Sequence, residues 1–187
     1  MANEKLIINM NMKEKYFKEI RPALAAAGGY KNTLAAPRVT KVTLNIGINS
    51  GADVKIQEVG AKTLMTITGQ KPVATKAKKS ISNFKIREGM VVGLKVTLRG
   101  QRLYDFLEKL VRAALPRIRD FRGLSPKLID KQGNLSIGFK EHTAFPEINP
   151  TEIDRLHGLE VVITTTAKTQ AEGLALFRAL GFPFREK

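Results

Sequence analysis

Two ten-residue segments, RVTKVTLNIG at 38–47 and VVGLKVTLRG at 91–100, alternate apolar and polar residues. Side chains alternate across a strand with period two, so each segment is a half-buried strand. Val42, Leu44 and Ile46 fall on one side of the first, with Lys41, Thr43 and Asn45 on the other. Val92, Leu94, Val96 and Leu98 fall on one side of the second, with Gly93, Lys95, Thr97 and Arg99 opposite. A slip of one residue would turn either apolar row out into water, so the register is strongly specified. An ordinary solvated sheet face would alternate in the same way. It explains less well why neither polar row contains an acid.

The remaining pattern mixes helices and strands without strict βαβ alternation. Tyr16, Phe17, Ile20 and Leu24 predict a helix over 12–27, with a kink or early end at Pro22 and a stop at Gly28-Gly29. After a turn at 49–51, Ile56, Val59 and Leu64 predict a helix over 53–66 that ends at Gly69. Leu103, Phe106, Leu107, Leu110, Val111 and Ala114 predict a helix over 101–115, closed by Pro116. A short strand with Leu135, Ile137 and Phe139 inward follows, then a strand over 159–166. Thr169 and Glu172 have the spacing of a capping box before a helix over 170–180. The fold class expected is α+β: an antiparallel sheet with helices packed on one face and the other face open for RNA. Residues 1–12 read as a loosely ordered extension, and 13–187 as a single RNA-binding domain.

RNA is the partner that charge points to. The chain carries 32 Lys+Arg against 17 Asp+Glu, a net charge of +15 in 187 residues. An excess of that size speaks of polyanionic partners, not of fold. It is concentrated in GQKPVATKAKKSISNFKIREG, residues 69–89, which holds six basic residues and one acid. Lys is rarely buried without a partner, so this segment reads as a surface loop, with Thr75, Ser80 and Ser82 as hydroxyl donors to phosphate. Residues 141–160 carry five acids and one base, which suits either a basic partner or simple solvation. A membrane partner is not expected, because no run of 18 apolar residues exists and the N-terminus lacks a signal-peptide pattern. With no cysteine, disulfides and thiolate metal sites are excluded, and a cytoplasmic protein is the default.

Catalysis finds little footing. His142 and His157 are 15 residues apart without metal-ligand spacing, and read as surface or hydrogen-bonded structural histidines. Gly69-Gln70-Lys71 has Leu64 where a phosphate-binding loop needs glycine, and nothing poises Glu141 against Glu147 as an acid/base pair. No cofactor and no metal is expected. The alternative class, an RNA-modifying or nucleotide-dependent enzyme, lacks a signature. Arg117, Arg119 and Arg122 in ALPRIRDFRGL suit two readings, phosphate contact or pairing with Asp120 that packs the turn, with pairing slightly favoured.

Several runs together resemble one family. They are Pro37-Arg38 with Leu44-Asn45-Ile46-Gly47, ITGQKPV at 67–73, TKAKKSI at 75–81, FKIREGM at 84–90, KVTLRG at 95–100 and ALPRIRDFRGL at 114–124. Gly133-Asn134, Phe145-Pro146-Glu147, ITTTAKT at 163–169 and Phe182-Pro183-Phe184 extend the likeness from Ala36 to the C-terminus. The chain resembles the bacterial large-subunit ribosomal proteins that bind 5S ribosomal RNA. His142 departs from the pattern, standing where relatives usually carry Gln. The resemblance implies a non-catalytic place in the central protuberance of the ribosome, with neighbouring large-subunit rRNA and proteins as partners. It implies that Asn45, Gln70, Thr97 and Arg99 contact 5S rRNA; Gln70 rests on the resemblance alone. It implies that a loop at 73–82, with Lys76, Lys78, Lys79 and Ser80, reaches peptidyl-site tRNA. It also implies a contact with a small-subunit head protein, for which 134–153 is the candidate region.

Overall fold

A computed structural model describes residues 11–48, 54–149 and 156–185. Helix α1 is built of Met12–Lys15, Tyr16–Ile20 and Arg21–Ala27. There follow β1 (Val39–Gly47), α2 (Val54–Thr68), β2 (Val73–Lys76), β3 (Val91–Leu98), α3 (Gly100–Lys109), β4 (Leu135–Phe139), β5 (Leu159–Thr165) and α4 (Gln170–Ala179). The five strands form one antiparallel sheet in the order β2-β3-β1-β5-β4, so the fold is α+β as the alternation predicts. The turn expected at 49–51 lies outside the described residues, as do residues 1–10 of the extension. The Asn11 side chain caps the first turn of α1, and Met12 is buried.

The chain divides into two compact units. One comprises Met1–Lys41, Arg99–Leu135 and Ile163–Lys187. Its core holds Tyr16, Leu103, Leu107, Leu110, Leu115, Leu176 and Phe177, all essentially inaccessible to solvent. Burial first, and the neighbouring Tyr104 second, push the Tyr16 hydroxyl pKa up to about 12. That hydroxyl donates to the Pro37 carbonyl at 2.9 Å.

Pro22 does not end α1. A proline lacks the N–H for the i−4 carbonyl, and its ring crowds that carbonyl. The chain widens to a π-turn at Tyr16–Ile20, whose last bond runs from the Arg21 N–H to the Tyr16 carbonyl. The same device precedes Pro116. A π-turn at Leu110–Ala114 ends with the Leu115 N–H on the Leu110 carbonyl, and one 3-10 turn, Leu115–Arg117, then stops the helix. The capping box at α4 is present: the Thr169 hydroxyl accepts from the Glu172 N–H, and the Glu172 carboxylate accepts from the Lys168 N–H at 2.8 Å.

The other unit comprises Val42–Leu98 and Ser136–Val162. Helix α2 packs on β3. Its buried stripe is Gly60, Thr63, Leu64 and Ile67, while Ile56 and Val59 are half-buried, so the stripe lies nearer the C-terminal end than the spacing predicts. The two histidines are structural. The rings of His142 and His157 stack at 4.0 Å and 8°, and His157 Nε2 lies 3.2 Å from the Thr63 hydroxyl of α2. Burial first, and then the neighbouring His142, hold the His157 pKa below its ordinary value.

Candidate nucleic-acid interface

The polar face begins with the pairing of β1 and β3. Their antiparallel register sets Thr43 opposite Thr97, Asn45 opposite Lys95 and Gly47 opposite Gly93. Directly opposed side chains in such a pair lie about 4.5–5.5 Å apart at Cβ, so these residues form one contiguous patch. Val42, Leu44, Ile46, Leu94, Val96 and Leu98 are buried on the opposite side. Lys95 is exposed, and Thr43, Asn45 and Thr97 are half-buried. The side chains of Thr and Asn are short and partly held by neighbours, which limits the entropy lost when they bind.

Strand β2 enlarges the patch. The alternation of the sequence does not reveal it, and the lysine content alone places residues 73–76 in a loop. They pair antiparallel with β3, Val73 opposite Lys95 and Thr75 opposite Gly93. A Cβ placed on Gly93 would lie 2.9 Å from the Ile46 carbonyl oxygen, 2.9 Å from the Thr75 hydroxyl and 3.7 Å from the Asn45 side-chain oxygen. The bare backbone at Gly93 therefore lets an amide and a hydroxyl from the two flanking strands converge. Thr75 is thus a patch residue, although its sequence environment assigns it only to the lysine-rich loop.

Gln70 sits apart, in the turn between α2 and β2. Its backbone N–H donates to the Thr68 hydroxyl at 3.3 Å, and Gly69 closes α2 through its N–H on the Met65 carbonyl. Arg99 follows β3 in extended conformation, is exposed, and occupies the N-cap position of α3. Of the four residues matched to a 5S contact, Asn45 and Thr97 share the patch, while Gln70 and Arg99 lie beyond the paired strands.

The lysine-rich segment is a hairpin, not an open loop. The register shifts between Thr75 and Lys76, and the chain then pairs back on itself. Ala77 N–H donates to the Met90 carbonyl at 2.8 Å, and Gly89 N–H to the Ala77 carbonyl at 3.0 Å. Ile81 and Ile86 exchange bonds of 2.9 and 3.1 Å. The Ser80 hydroxyl accepts from the Glu88 N–H at 2.9 Å, so its oxygen helps hold the hairpin together. Lys76, Lys78, Lys79, Lys85 and Arg87 are exposed, as is Phe84 at 65%. The hairpin thus carries cations on a backbone tied across its stem, with few buried side chains.

Acidic character returns at β5, where Glu160 is exposed. Of the acidic stretch at 141–160, and of the candidate region 134–153, residues 150–155 lie outside the described ones. Among the described residues, no group of three or more His, Cys, Asp or Glu is placed to hold a metal ion. No described helix is long and apolar enough to cross a membrane.

Two family models match the chain, one described as ribosomal protein L5 over residues 32–87 and one as the C-terminus of the same ribosomal protein family over 91–184. The chain is 52% identical over 177 residues to the large ribosomal subunit protein uL5 of Thermosipho melanesiensis, covering 94% of this chain and 97% of that one. It is 49% identical over 178 residues to uL5 of Symbiobacterium thermophilum, covering 95% and 99%. The uL5 of Pelagibacter ubique is 52% identical over 177 residues, covering 94% and 96%.

Proposed function

The chain belongs to the L5 family of ribosomal proteins, and we propose from that premise that its sheet patch binds 5S rRNA while its basic hairpin contacts peptidyl-site tRNA. It is a non-enzymatic, structural constituent of the large ribosomal subunit, and in bacteria the ribosome is cytoplasmic. The finer assignment rests on one observation above the others: Thr43, Asn45, Thr75, Lys95 and Thr97 meet on paired strands with no acid among them. RNA is recognised by its shape, its 2′-hydroxyls and its unstacked bases, and short hydrogen-bonding side chains around one cation suit that chemistry. Gln70 and Arg99 extend the contact beyond the paired strands. Lys76, Lys78, Lys79 and Ser80 belong to the tRNA contact, where exposed charge along one side of a hairpin gives reach. Residues 13–187 are an RNA-binding region in the central protuberance, and 134–153 is the candidate contact with a protein of the small-subunit head.

Titration of the purified chain with 5S rRNA and with an unrelated RNA of equal length, across salt concentrations, tests this reading. Affinity for both should fall linearly on a log–log salt plot, by about 0.7–0.9 ion per phosphate contact. The preference for 5S should persist at moderate salt. Equal affinity for the two RNAs would reduce the chain to a generic cation and refute the assignment.

A further inference from the structure

We propose that Met90 is a reversible oxidation site whose thioether, converted by a peroxide to the sulfoxide, unlatches the return limb of the basic hairpin. The residue closes the turn Arg87-Glu88-Gly89-Met90. The Met90 N–H donates to the Arg87 carbonyl at 3.2 Å, and the Arg87 N–H donates to the Met90 sulfur, also at 3.2 Å. Gly89 sits at φ 84° within the turn, a left-handed conformation that glycine adopts without strain. The turn is bonded to the outgoing limb as well. The Met90 carbonyl accepts from the Ala77 N–H at 2.8 Å, and the Gly89 N–H donates to the Ala77 carbonyl at 3.0 Å. All of these residues lie in one compact unit.

Among the described methionines, Met90 alone combines access with a structural bond. Met12 is buried, and Met65 is exposed on α2 with no hydrogen bond to its sulfur. Met90 is half-buried, so a small oxidant can reach the sulfur that holds the turn. In the reaction the sulfur gives an electron pair to one oxygen of hydrogen peroxide and the O–O bond breaks. The other oxygen leaves as water after taking up the proton of the first, so the thioether loses two electrons and the peroxide gains them. A thioether sulfur is a weak acceptor, whereas the new oxygen is strongly polar and costs free energy if left without a donor. That oxygen cannot take over the existing bond in place. It stands one S–O bond beyond the sulfur, and the sulfur is already only 3.2 Å from the Arg87 nitrogen. Either the side chain swings out and gives up the Arg87 N–H, or the turn widens and draws the Met90 carbonyl off the Ala77 N–H. Few buried side chains hold the hairpin, so the loss of one tie opens it locally. Reduction of the sulfoxide to the thioether restores the turn. The inference concerns the hairpin itself and stands whatever the hairpin binds.

The test treats the full chain with hydrogen peroxide and follows oxidation of each methionine by peptide mass spectrometry. Amide exchange across 77–90 is measured before treatment, after it, and after repair by the two methionine sulfoxide reductases. Met90→Leu, which keeps an apolar side chain of similar size and cannot be oxidised, is carried through the same steps. Met90 should oxidise well before Met12. In the oxidised wild type the amides of Ala77, Arg87 and Gly89 should exchange roughly two- to ten-fold faster, the effect of one lost hydrogen bond, and trypsin should cleave sooner after Arg87. The reductases should reverse both changes, and the hairpin of Met90→Leu should not respond to peroxide. If Met90→Leu fails to fold, Met65→Leu replaces it, and its hairpin should loosen on oxidation as the wild-type hairpin does. The inference is overturned if Met90 resists peroxide as long as Met12 does, or if exchange is unchanged in a chain fully oxidised at Met90. It is also overturned if peroxide loosens the hairpin of Met90→Leu, or fails to loosen that of Met65→Leu, since either result places the cause at another residue.

Discussion

On the proposed reading, the sheet patch and the basic hairpin would meet the same kind of partner with opposite means. Thr43, Asn45, Thr75 and Thr97 are short, half-buried and held by paired strands; Lys76, Lys78 and Lys79 are long, exposed and carried on a hairpin with little beneath it. A patch of the first kind discriminates, because a neutral donor or acceptor left unpaired in a dry interface costs about 1–3 kcal/mol. Cations of the second kind give reach and affinity without selecting among RNA sequences, and salt weakens them. If specificity belongs to rigid, nearly neutral strands and reach to long charged side chains, the two should fail under different perturbations.

The largest effect is expected at Gly93. Adding a methyl group there forces it against the Ile46 carbonyl oxygen and the Thr75 hydroxyl, both 2.9 Å away. Gly93→Ala should cost about 1–3 kcal/mol of stability, the usual range for overpacking, and should abolish the 5S preference by separating Asn45 from Thr75. A chemical melt with unchanged midpoint and intact 5S binding would break the account of the patch.

Next come Asn45→Ala and Thr97→Ala. Each should lower 5S affinity by about 1–3 kcal/mol, roughly 5- to 150-fold, with the urea midpoint nearly unchanged. Normal 5S binding by both variants would show that the strands are not the platform.

Lys76→Ala/Lys78→Ala/Lys79→Ala should do the reverse. It should weaken retention of peptidyl-site tRNA on assembled ribosomes and leave 5S binding within a small factor of wild type. The hairpin amides should also exchange faster with solvent than those of β1 in the free chain, because few buried contacts hold them. If this variant loses 5S binding as severely as Thr97→Ala, the hairpin belongs to the 5S site and the division fails.

The smallest effect is that of pH on the frame beneath the patch. The His157 pKa is depressed in the folded chain below its ordinary value of 6.5, first by burial and then by His142. The unfolded chain therefore binds the proton more tightly, and folding stability rises with pH through the window below about 6.5. Stability should fall modestly as pH drops from about 7 toward about 5.5, and His157→Gln should flatten this part of the profile. An identical pH profile in the variant would remove His157 as the cause.

What the sequence reveals, and what it hides, follows the same physical division. β1 and β3 are legible because each has one buried side, which imposes period two on Val42, Leu44, Ile46 and on Leu94, Val96, Leu98. β2 is hidden because Val73, Ala74 and Lys76 are all exposed, so no alternation marks a short strand at the sheet edge. With β2 unseen, Thr75 and the convergence above Gly93 are out of reach, since both depend on a pairing register. Pro22 predicts a kink or an end in α1, but the π-turn that absorbs it leaves no compositional mark. The tie of the Ser80 hydroxyl to Glu88 and the unpaired state of Arg117, Arg119 and Arg122 depend on side-chain placement, which spacing alone leaves open.

The central claim, that the strands select 5S rRNA and the cations do not, is tested most directly by one titration series. The ratio of affinities for 5S rRNA and an equal-length control RNA is measured across salt for wild type, for Asn45→Ala/Thr97→Ala and for the triple lysine variant. The account predicts that the strand variant loses the ratio while keeping its salt slope, and that the lysine variant keeps the ratio and stays within a small factor of the wild-type affinity and slope for 5S rRNA. A strand variant that retains the wild-type ratio would contradict it.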